Sequence, residues 1–172
     1  MRKIRLHSTE NKGFTLIEMV VVIGILALLG GMLLNILNPF GQFQKANDSR
    51  RKSDLAQVSR ALEAYYQDNG RYPEADSSYH IKRLDGTPVI WGQQWVPYMT
   101  LVPKDPGSSS YIYVTNEARQ SYYLYASLER GSQDSQVCTG VSNKCANVPL
   151  GVKCGGESYV CNYGLTSPNV SP

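Results

Sequence analysis

A continuous apolar block near the start of the chain limits what this sequence can fold into. Residues 14–34 are 21 positions whose only ionisable side chain is Glu18. As an α-helix rising about 1.5 Å per residue, the block spans a hydrocarbon layer about 30 Å thick. It is longer than the apolar part of a secretory signal peptide, about 7 to 15 residues, and no small-x-small cleavage site follows it. The sequence therefore predicts a retained membrane anchor.

Glu18 is the exception within this block. A carboxylate inside a membrane is unfavourable unless it has a partner, so such a residue marks a functional site by default. The alternative is an ordinary anchor in which Glu18, close to the helix start, reaches the membrane interface. The carboxylate alone leaves both interpretations open.

The residues on either side of Gly13 decide between them. Gly13 is followed by Phe-Thr-Leu-Ile-Glu and preceded by a polar segment that contains four basic residues, Arg2, Lys3, Arg5 and Lys12. This arrangement resembles the class III leader of type IV pilins and type II secretion pseudopilins. The resemblance implies that a prepilin peptidase cleaves between Gly13 and Phe14, that Phe14 becomes the N-methylated N-terminus, and that the helix polymerises into a filament core. Glu18 would then neutralise the Phe14 ammonium of a neighbouring subunit and fix the axial register.

The net charge of the chain comes from its first residues. The formal charge is +3, but residues 1–13 carry four positive side chains and one negative, which leaves 13 of each sign in the remainder. A neutral mature protein makes nucleic acid an unlikely main partner, because such binders need a basic working face. The basic leader predicts that residues 1–13 are cytoplasmic and that the rest of the chain lies outside.

Four cysteines lie together in the last 35 residues, at Cys138, Cys145, Cys154 and Cys161. An even number on the extracytoplasmic side predicts two disulfides, with three pairings left open. The alternative, a zinc site, is disfavoured because the C-x6-C spacings lack the short C-x2-C pairs that such sites use.

Two breaks interrupt the helical pattern where the apolar block ends, the first at Gly30 and Gly31 and the second at Asn38 and Pro39. Proline removes a backbone hydrogen bond from a helix, and paired glycines weaken it. They are either an ordinary membrane-exit break or, as the resemblance implies, a segment that bends or melts when subunits pack. Gly30, Gly31 and Pro39 are the candidates.

Residues 42–68 predict an amphipathic helix. Six apolar or aromatic residues recur at helical spacing on one face: Leu55, Val58, Ala61, Leu62, Tyr65 and Tyr66. The run Arg50, Arg51 and Lys52 reads as a solvated collar of mixed charge, with contact to anionic lipid head groups as the alternative. Asn69 and Gly70 predict the C-terminal cap of the helix.

Strand patterns follow the helix. Residues 79–84 and 87–91 flank Asp85 and Gly86, a hairpin turn signal, with Pro88 restricting the second run to an edge. Residues 111–114 and 122–126 are rich in aromatic and β-branched residues. The segments 69–73, Asn-Gly-Arg-Tyr-Pro, and 101–106, Leu-Val-Pro-Lys-Asp-Pro, resemble the same pseudopilin group. The likeness covers roughly residues 10–130.

The fold class that follows is α+β and type IV pilin-like: a long N-terminal helix, transmembrane and then amphipathic, packed on a small antiparallel β-sheet. We divide the chain into a cleaved leader at 1–13, a transmembrane helix at 14–38 and its amphipathic continuation at 39–69. A loop and sheet follow at 70–130, then a cysteine-containing loop region at 131–172.

No residue pattern predicts catalysis. The chain lacks the common nucleophile, phosphate-loop and metalloprotease motifs, and its two histidines are His7 in the leader and His80 in a predicted strand. The twelve tyrosines are expected to pack rather than bind, and Trp91 and Trp95 are the pair to test for a ligand. We expect no cofactor. Major pseudopilins commonly bind calcium after a Ser-Leu step, but here only Glu129 and Asp134 follow Ser127 and Leu128, which disfavours calcium.

The function predicted is that of a structural prepilin subunit, not an enzyme, assembled into a type IV pilus or a type II secretion pseudopilus. Its expected partners are further copies of itself, the prepilin peptidase and N-methyltransferase, and the membrane assembly machinery. It is expected in the cytoplasmic membrane as a single-pass protein and, once assembled, in the periplasm or at the cell surface. The alternative is a monomeric single-pass protein with an extracytoplasmic ligand-binding domain.

Overall fold

The computed structural model describes residues 13–140, 144–156 and 158–172, without the side chains of residues 34–37. The chain divides into two compact units at Gly41. The predictions for the basic leader and for His7 concern residues 1–12, which lie outside the described residues.

The first unit contains helix α1, Leu16–Leu37. Residues Leu16–Leu33 are long and apolar enough to cross a membrane, and their side chains are exposed. α1 ends at Asn38, which adopts a left-handed conformation with φ 39° and ψ 67°. The right-handed helical region is disfavoured for a residue that precedes proline, which accounts for a break at this position.

A second helix, α2, begins at Pro39 and ends at Asn69. The side-chain oxygen of Asn38 accepts a hydrogen bond from the Gly41 amide at 3.2 Å and so caps the start of α2.

Gly30 and Gly31 lie inside α1, so the break expected there is absent from this structure. Glycine weakens a helix but keeps its N–H donor, whereas proline loses it.

In the second unit, α2 buries the predicted stripe. Leu55, Val58, Ala61, Leu62 and Tyr65 are buried, and Tyr66 is half-buried against them. The helix ends at the predicted cap, where Gly70 has φ 68° and donates its amide to the Tyr66 carbonyl at 2.8 Å.

The predicted hairpin is present with shorter strands. β1, Ile81–Lys82, pairs antiparallel with β2, Pro88–Val89, in the register Ile81 to Val89. The turn places Gly86 at φ 83°, a conformation that favours glycine.

A second sheet has three antiparallel strands in the order β3-β4-β5. β3 is Ile112–Thr115 and β4 is Tyr122–Ala126, as the aromatic runs predict, with Ile112 opposite Tyr125. The third strand, β5 at Tyr163–Thr166, was not predicted, and pairs with β4 through Ala126 and Tyr163. It turns part of the expected C-terminal loop region into sheet.

The main core lies between α2 and the two sheets. Trp95 stacks on Tyr65 with ring centroids 5.7 Å apart, and Trp91 meets Tyr111 edge-on at 5.5 Å. Both tryptophans are buried. The pair reserved for a ligand test therefore packs the core, as most of the tyrosines do.

The two disulfides join Cys138 to Cys145 and Cys154 to Cys161, so the pairing is sequential. The zinc alternative is wrong, because all four thiols are consumed. Three of the four cysteines belong to a second buried cluster of seven residues: Ile112, Tyr125, Cys145, Val148, Val152, Cys154 and Cys161. The C-terminal region thus contributes a small core of its own.

The predicted solvated collar is also wrong in part. Arg50 is exposed, but Arg51 is only 1% exposed, and Asp48 and Asp54 are buried with it. The guanidinium of Arg51 is enclosed by carboxylates from distant loops. A buried charge requires such partners, and these lie too far away in sequence for a local pattern to indicate.

Candidate assembly segment

The segment that carries the predicted processing and assembly residues begins with a capping box. The Thr15 hydroxyl accepts a hydrogen bond from the Glu18 amide at 3.3 Å, and a Glu18 carboxylate oxygen accepts one from the Thr15 amide at 2.8 Å. The same oxygen also accepts the Thr15 hydroxyl proton at 2.8 Å. Thr15 is extended, with φ −79° and ψ 153°, as an N-cap residue should be.

This geometry places the Glu18 carboxylate at the N-terminal end of α1. A negative charge is favourable there, because the unpaired amides of the first turn give the helix end a partial positive charge. Glu18 is exposed, and the two hydrogen bonds that its carboxylate accepts from Thr15 use the same oxygen. The arrangement holds the side chain in place beside Phe14 and leaves it accessible to a cation from outside the chain.

Gly13 and Phe14 precede the helix and lie outside it. Both are exposed, and a side chain at Gly13 would meet no atom of the described residues within 4 Å. Exposed, non-helical backbone is the kind of site that a peptidase can reach. The Gly13–Phe14 bond therefore lies in exposed backbone before α1, and Glu18 follows Phe14 by about one helical turn.

The other predicted residues lie elsewhere. Gly30 and Gly31 are within α1, and Pro39 is the first residue of α2. His80 contacts the Asp76 carboxylate through Nδ1 at 3.1 Å, in a loop contact rather than a cleft. The roles of Gly30, Gly31 and Pro39 in assembly stay predictions.

The loop after Ser127 and Leu128 uses its carboxylates internally. Glu129 accepts hydrogen bonds from Arg51 and Asn47, and Asp134 accepts one from Lys52 at 2.5 Å. Within the described residues, no group of three histidine, cysteine, aspartate or glutamate side chains is placed to hold a metal ion.

Two family models match this chain, one over the N-terminal segment and one over most of the second unit. The family model for the prokaryotic N-terminal methylation motif matches residues 9–34, which contain Gly13, Phe14 and Glu18. The model for type II secretion system (T2SS) protein G matches residues 38–144, more than half of the chain.

The chain belongs to the type II secretion system protein G family.

Curated relatives of this family agree. The chain is 27% identical over 140 residues to the type II secretion system core protein G of Escherichia coli K12, covering 78% of this chain and 95% of the relative. It is 30% identical to that of Vibrio cholerae, covering 67% and 75%, and 33% identical to that of Pectobacterium carotovorum, covering 59% and 65%. No solved structure matches the chain significantly.

Membership in the protein G family confirms the pseudopilin resemblance and the pilin-like α+β fold. The chain is a pseudopilin, a structural subunit of the kind that forms a pseudopilus, and it carries the N-terminal methylation motif. The family match ends at residue 144, so β5 and the Cys154–Cys161 disulfide lie beyond it. Sequence reasoning missed β5 because its four residues sit in a polar, glycine-containing tail.

Proposed function

We propose that this pseudopilin is cleaved between Gly13 and Phe14, methylated at Phe14, and polymerised through α1 into a pseudopilus. It serves there as a structural subunit without catalytic activity or a bound cofactor. Before assembly it is anchored in the cytoplasmic membrane with its second unit outside, and afterwards it extends into the periplasm. A prepilin peptidase with N-methyltransferase activity and the secretion assembly machinery are its partners.

The observation that carries the proposal is the exposed apolar surface of α1. Its side chains from Leu16 to Leu33 are exposed around the whole helix. Such a surface is unfavourable in water and requires an apolar environment. Lipid supplies it before assembly, and the α1 helices of other subunits replace the lipid in the filament.

Glu18 has two separable roles in this proposal. Within the chain it caps α1 by accepting the Thr15 amide proton. Between chains, its negative charge pairs with the ammonium that cleavage creates at Phe14 of a neighbour. Only the second role needs a charge, because glutamine also completes a capping box.

Two substitutions separate these roles. The full chain is produced with its assembly machinery, and filaments are quantified in the sheared fraction and by electron microscopy. Glu18→Ala removes both roles, whereas Glu18→Gln keeps the cap and removes the charge. We expect both variants to insert into the membrane and to be cleaved, and neither to form filaments of normal amount and symmetry.

Normal filaments from Glu18→Gln would reduce Glu18 to a helix cap and overturn the charge pairing. A conservative control, Thr15→Ser, keeps the capping hydroxyl and the charge, and it should assemble as the unmodified chain does. Intact mass of each variant verifies that processing is unchanged.

A further inference from the structure

Three arginines converge on a cleft near the C-terminal end of α2. The cleft has a volume of about 240 Å³ and is lined by seven residues: Tyr65, Arg71, Glu74, Arg83, Leu84, Gly86 and Arg119. They come from the end of α2, the segment after it, the β1–β2 turn and the β3–β4 turn. All seven lie in the second unit.

Two of the arginines are held in place by backbone groups. Arg119 donates from Nε to the Tyr72 carbonyl at 2.8 Å, and its own backbone is fixed at φ 57° in the β3–β4 turn. Arg83 donates from Nη1 to the Pro88 carbonyl at 2.9 Å and from Nη2 to the Gln94 carbonyl at 2.7 Å. Both guanidinium groups are therefore placed by the fold before any ligand arrives.

The carboxylates near the cleft do not balance this charge. Glu74 is the only acidic residue among those lining it, and it is shared by Arg119 at 3.0 Å and Lys82 at 3.6 Å. Asp85, in the turn beside Gly86, accepts hydrogen bonds from the Thr87 amide and hydroxyl. Counting both, two carboxylates face four cationic side chains.

Arg71 is the least constrained of these four cationic side chains. It follows the cap of α2 directly and its side chain is exposed. The oxygens to which Arg83 donates are neutral, and its charge acts on the nearby Asp85 carboxylate, whose pKa the hydrogen bonds from Thr87 and the charge of Arg83 both lower. Among the described residues that line the cleft, no carboxylate forms an ion pair with Arg71 or Arg83. Clustered guanidinium groups repel one another, and a cleft that gathers them concentrates a positive potential.

Tyr65 supplies a polar group at the wall of the same cleft. Burial raises its pKa, against the opposing charges of Arg119 and Arg71, so its hydroxyl stays protonated at neutral pH. A hydroxyl and planar guanidinium forks together are suited to the oxygens of phosphate and carboxylate groups.

We propose that this cleft binds an oxyanion, a phosphate or a carboxylate, between the guanidinium groups of Arg71, Arg83 and Arg119. Arg83 and Arg119 form the fixed part of the site, and Arg71 closes on the ligand from the solvent side. The ligand offers at least two acceptor oxygens, because the guanidinium groups approach from different segments of the chain.

The test is a titration of the full chain in detergent micelles with 15N-labelled arginine, in which the Nε–Hε resonances are followed by NMR. Sodium phosphate and sodium succinate are added in separate arms at constant ionic strength, with chloride as the balancing anion. We expect the resonances of Arg71, Arg83 and Arg119 to shift and saturate together. If the shifts saturate with just one of the two anions, that anion shows whether the site prefers phosphate or carboxylate.

Arg71→Gln is the decisive variant, because Arg71 is exposed and its loss leaves intact the hydrogen bonds that Arg83 and Arg119 donate to backbone carbonyls. It should raise the Kd at least tenfold, as read from the remaining two arginines. Arg60→Gln, an exposed arginine on α2 outside the cleft, is the matched control and should leave the Kd unchanged. An unchanged Kd in Arg71→Gln, or non-saturating shifts of all arginines in both arms, would overturn the site.

Discussion

Arg51 and Asp105 form a bidentate ion pair inside the second unit. Arg51 Nε donates to one oxygen of Asp105 at 2.8 Å and Nη2 donates to the other at 3.1 Å, with both side chains 1% exposed. Arg51 Nη1 also donates to Asp48 and to Glu129, each at 2.9 Å. One guanidinium therefore joins the middle of α2 to the loop before β3 and to the loop after β4.

We predict that Arg51→Met destabilises the second unit by about 3 to 5 kcal/mol, because it leaves the buried Asp105 carboxylate without its cation. The measurement is guanidinium chloride unfolding followed by tryptophan fluorescence. Trp91 and Trp95 are the two tryptophans of the chain and both lie in the main core, so the signal reports this unit.

The neighbouring Arg50→Met is the control for this prediction. Arg50 is 64% exposed and lies 4.0 Å from Asp54, a distance and exposure at which an ion pair contributes little. Its loss should change the unfolding free energy by less than about 1 kcal/mol. Equal effects of the two substitutions would mean that the buried pair contributes no more than a surface charge does.

The two disulfides should contribute unequally to stability. Both join cysteines seven positions apart, so chain entropy predicts a similar contribution of about 2 to 3 kcal/mol from each. Cys154 and Cys161 are fully buried, whereas Cys138 is half-buried. We expect the double variant Cys154→Ala and Cys161→Ala to lower the unfolding midpoint more than Cys138→Ala and Cys145→Ala does.

The same fluorescence-detected unfolding experiment compares the two double variants. The second core cluster contains Cys154 and Cys161. Removing this disulfide therefore costs packing contacts in the cluster as well as the chain-entropy contribution of the crosslink. Equal midpoints for the two variants would show that the cluster does not depend on that bridge.

Stability should fall in acid partly through Asp134. A hydrogen bond from Lys52 and one from the Gln136 amide lower the pKa of Asp134 below its ordinary value of 3.8. The carboxylate therefore stabilises the fold fully above about pH 5. This contribution is lost as the pH falls through 3.8, where the unfolded chain takes up its proton first, and on through the lower folded value.

Unfolding free energies measured between pH 7 and pH 2.5 test this sign. Lys52→Met raises the pKa of Asp134 and should flatten the acid side of the profile, as Asp134→Asn should. The exposed Lys104→Met is the control and should keep the slope of the unmodified chain. A slope in Asp134→Asn equal to that of the unmodified chain would contradict the assignment.

The features that sequence predicted best are those set by neighbours along the chain. The stripe from Leu55 to Tyr65 repeats at helical spacing, and Asp85 with Gly86 specifies a tight turn whatever surrounds it. Strand β4 was predicted at its observed bounds, because three of its five residues are tyrosines, which favour sheet. The Gly13 to Glu18 motif is likewise contiguous, and it led to the correct family.

The features that sequence missed depend on distant residues. Arg51 reads as a surface cation beside Arg50 and Lys52, although its spacing from Leu55 and Val58 places it on the buried face. Only Asp105 and Glu129, 54 and 78 residues away, turn that position into an ion-pair site. Strand β5 forms because β4 offers it an edge, and the arginine cleft gathers residues from four segments.

Processing at Gly13 and Phe14 is the central claim, and intact mass with N-terminal sequencing of the protein from its native membrane or sheared fraction tests it most directly. We expect a chain that begins at N-methylated Phe14 and is lighter by the mass of residues 1–13, less one added methyl group. A chain that still begins at Met1 would contradict it, because without a new ammonium at Phe14 the Glu18 carboxylate has no partner to pair with across subunits.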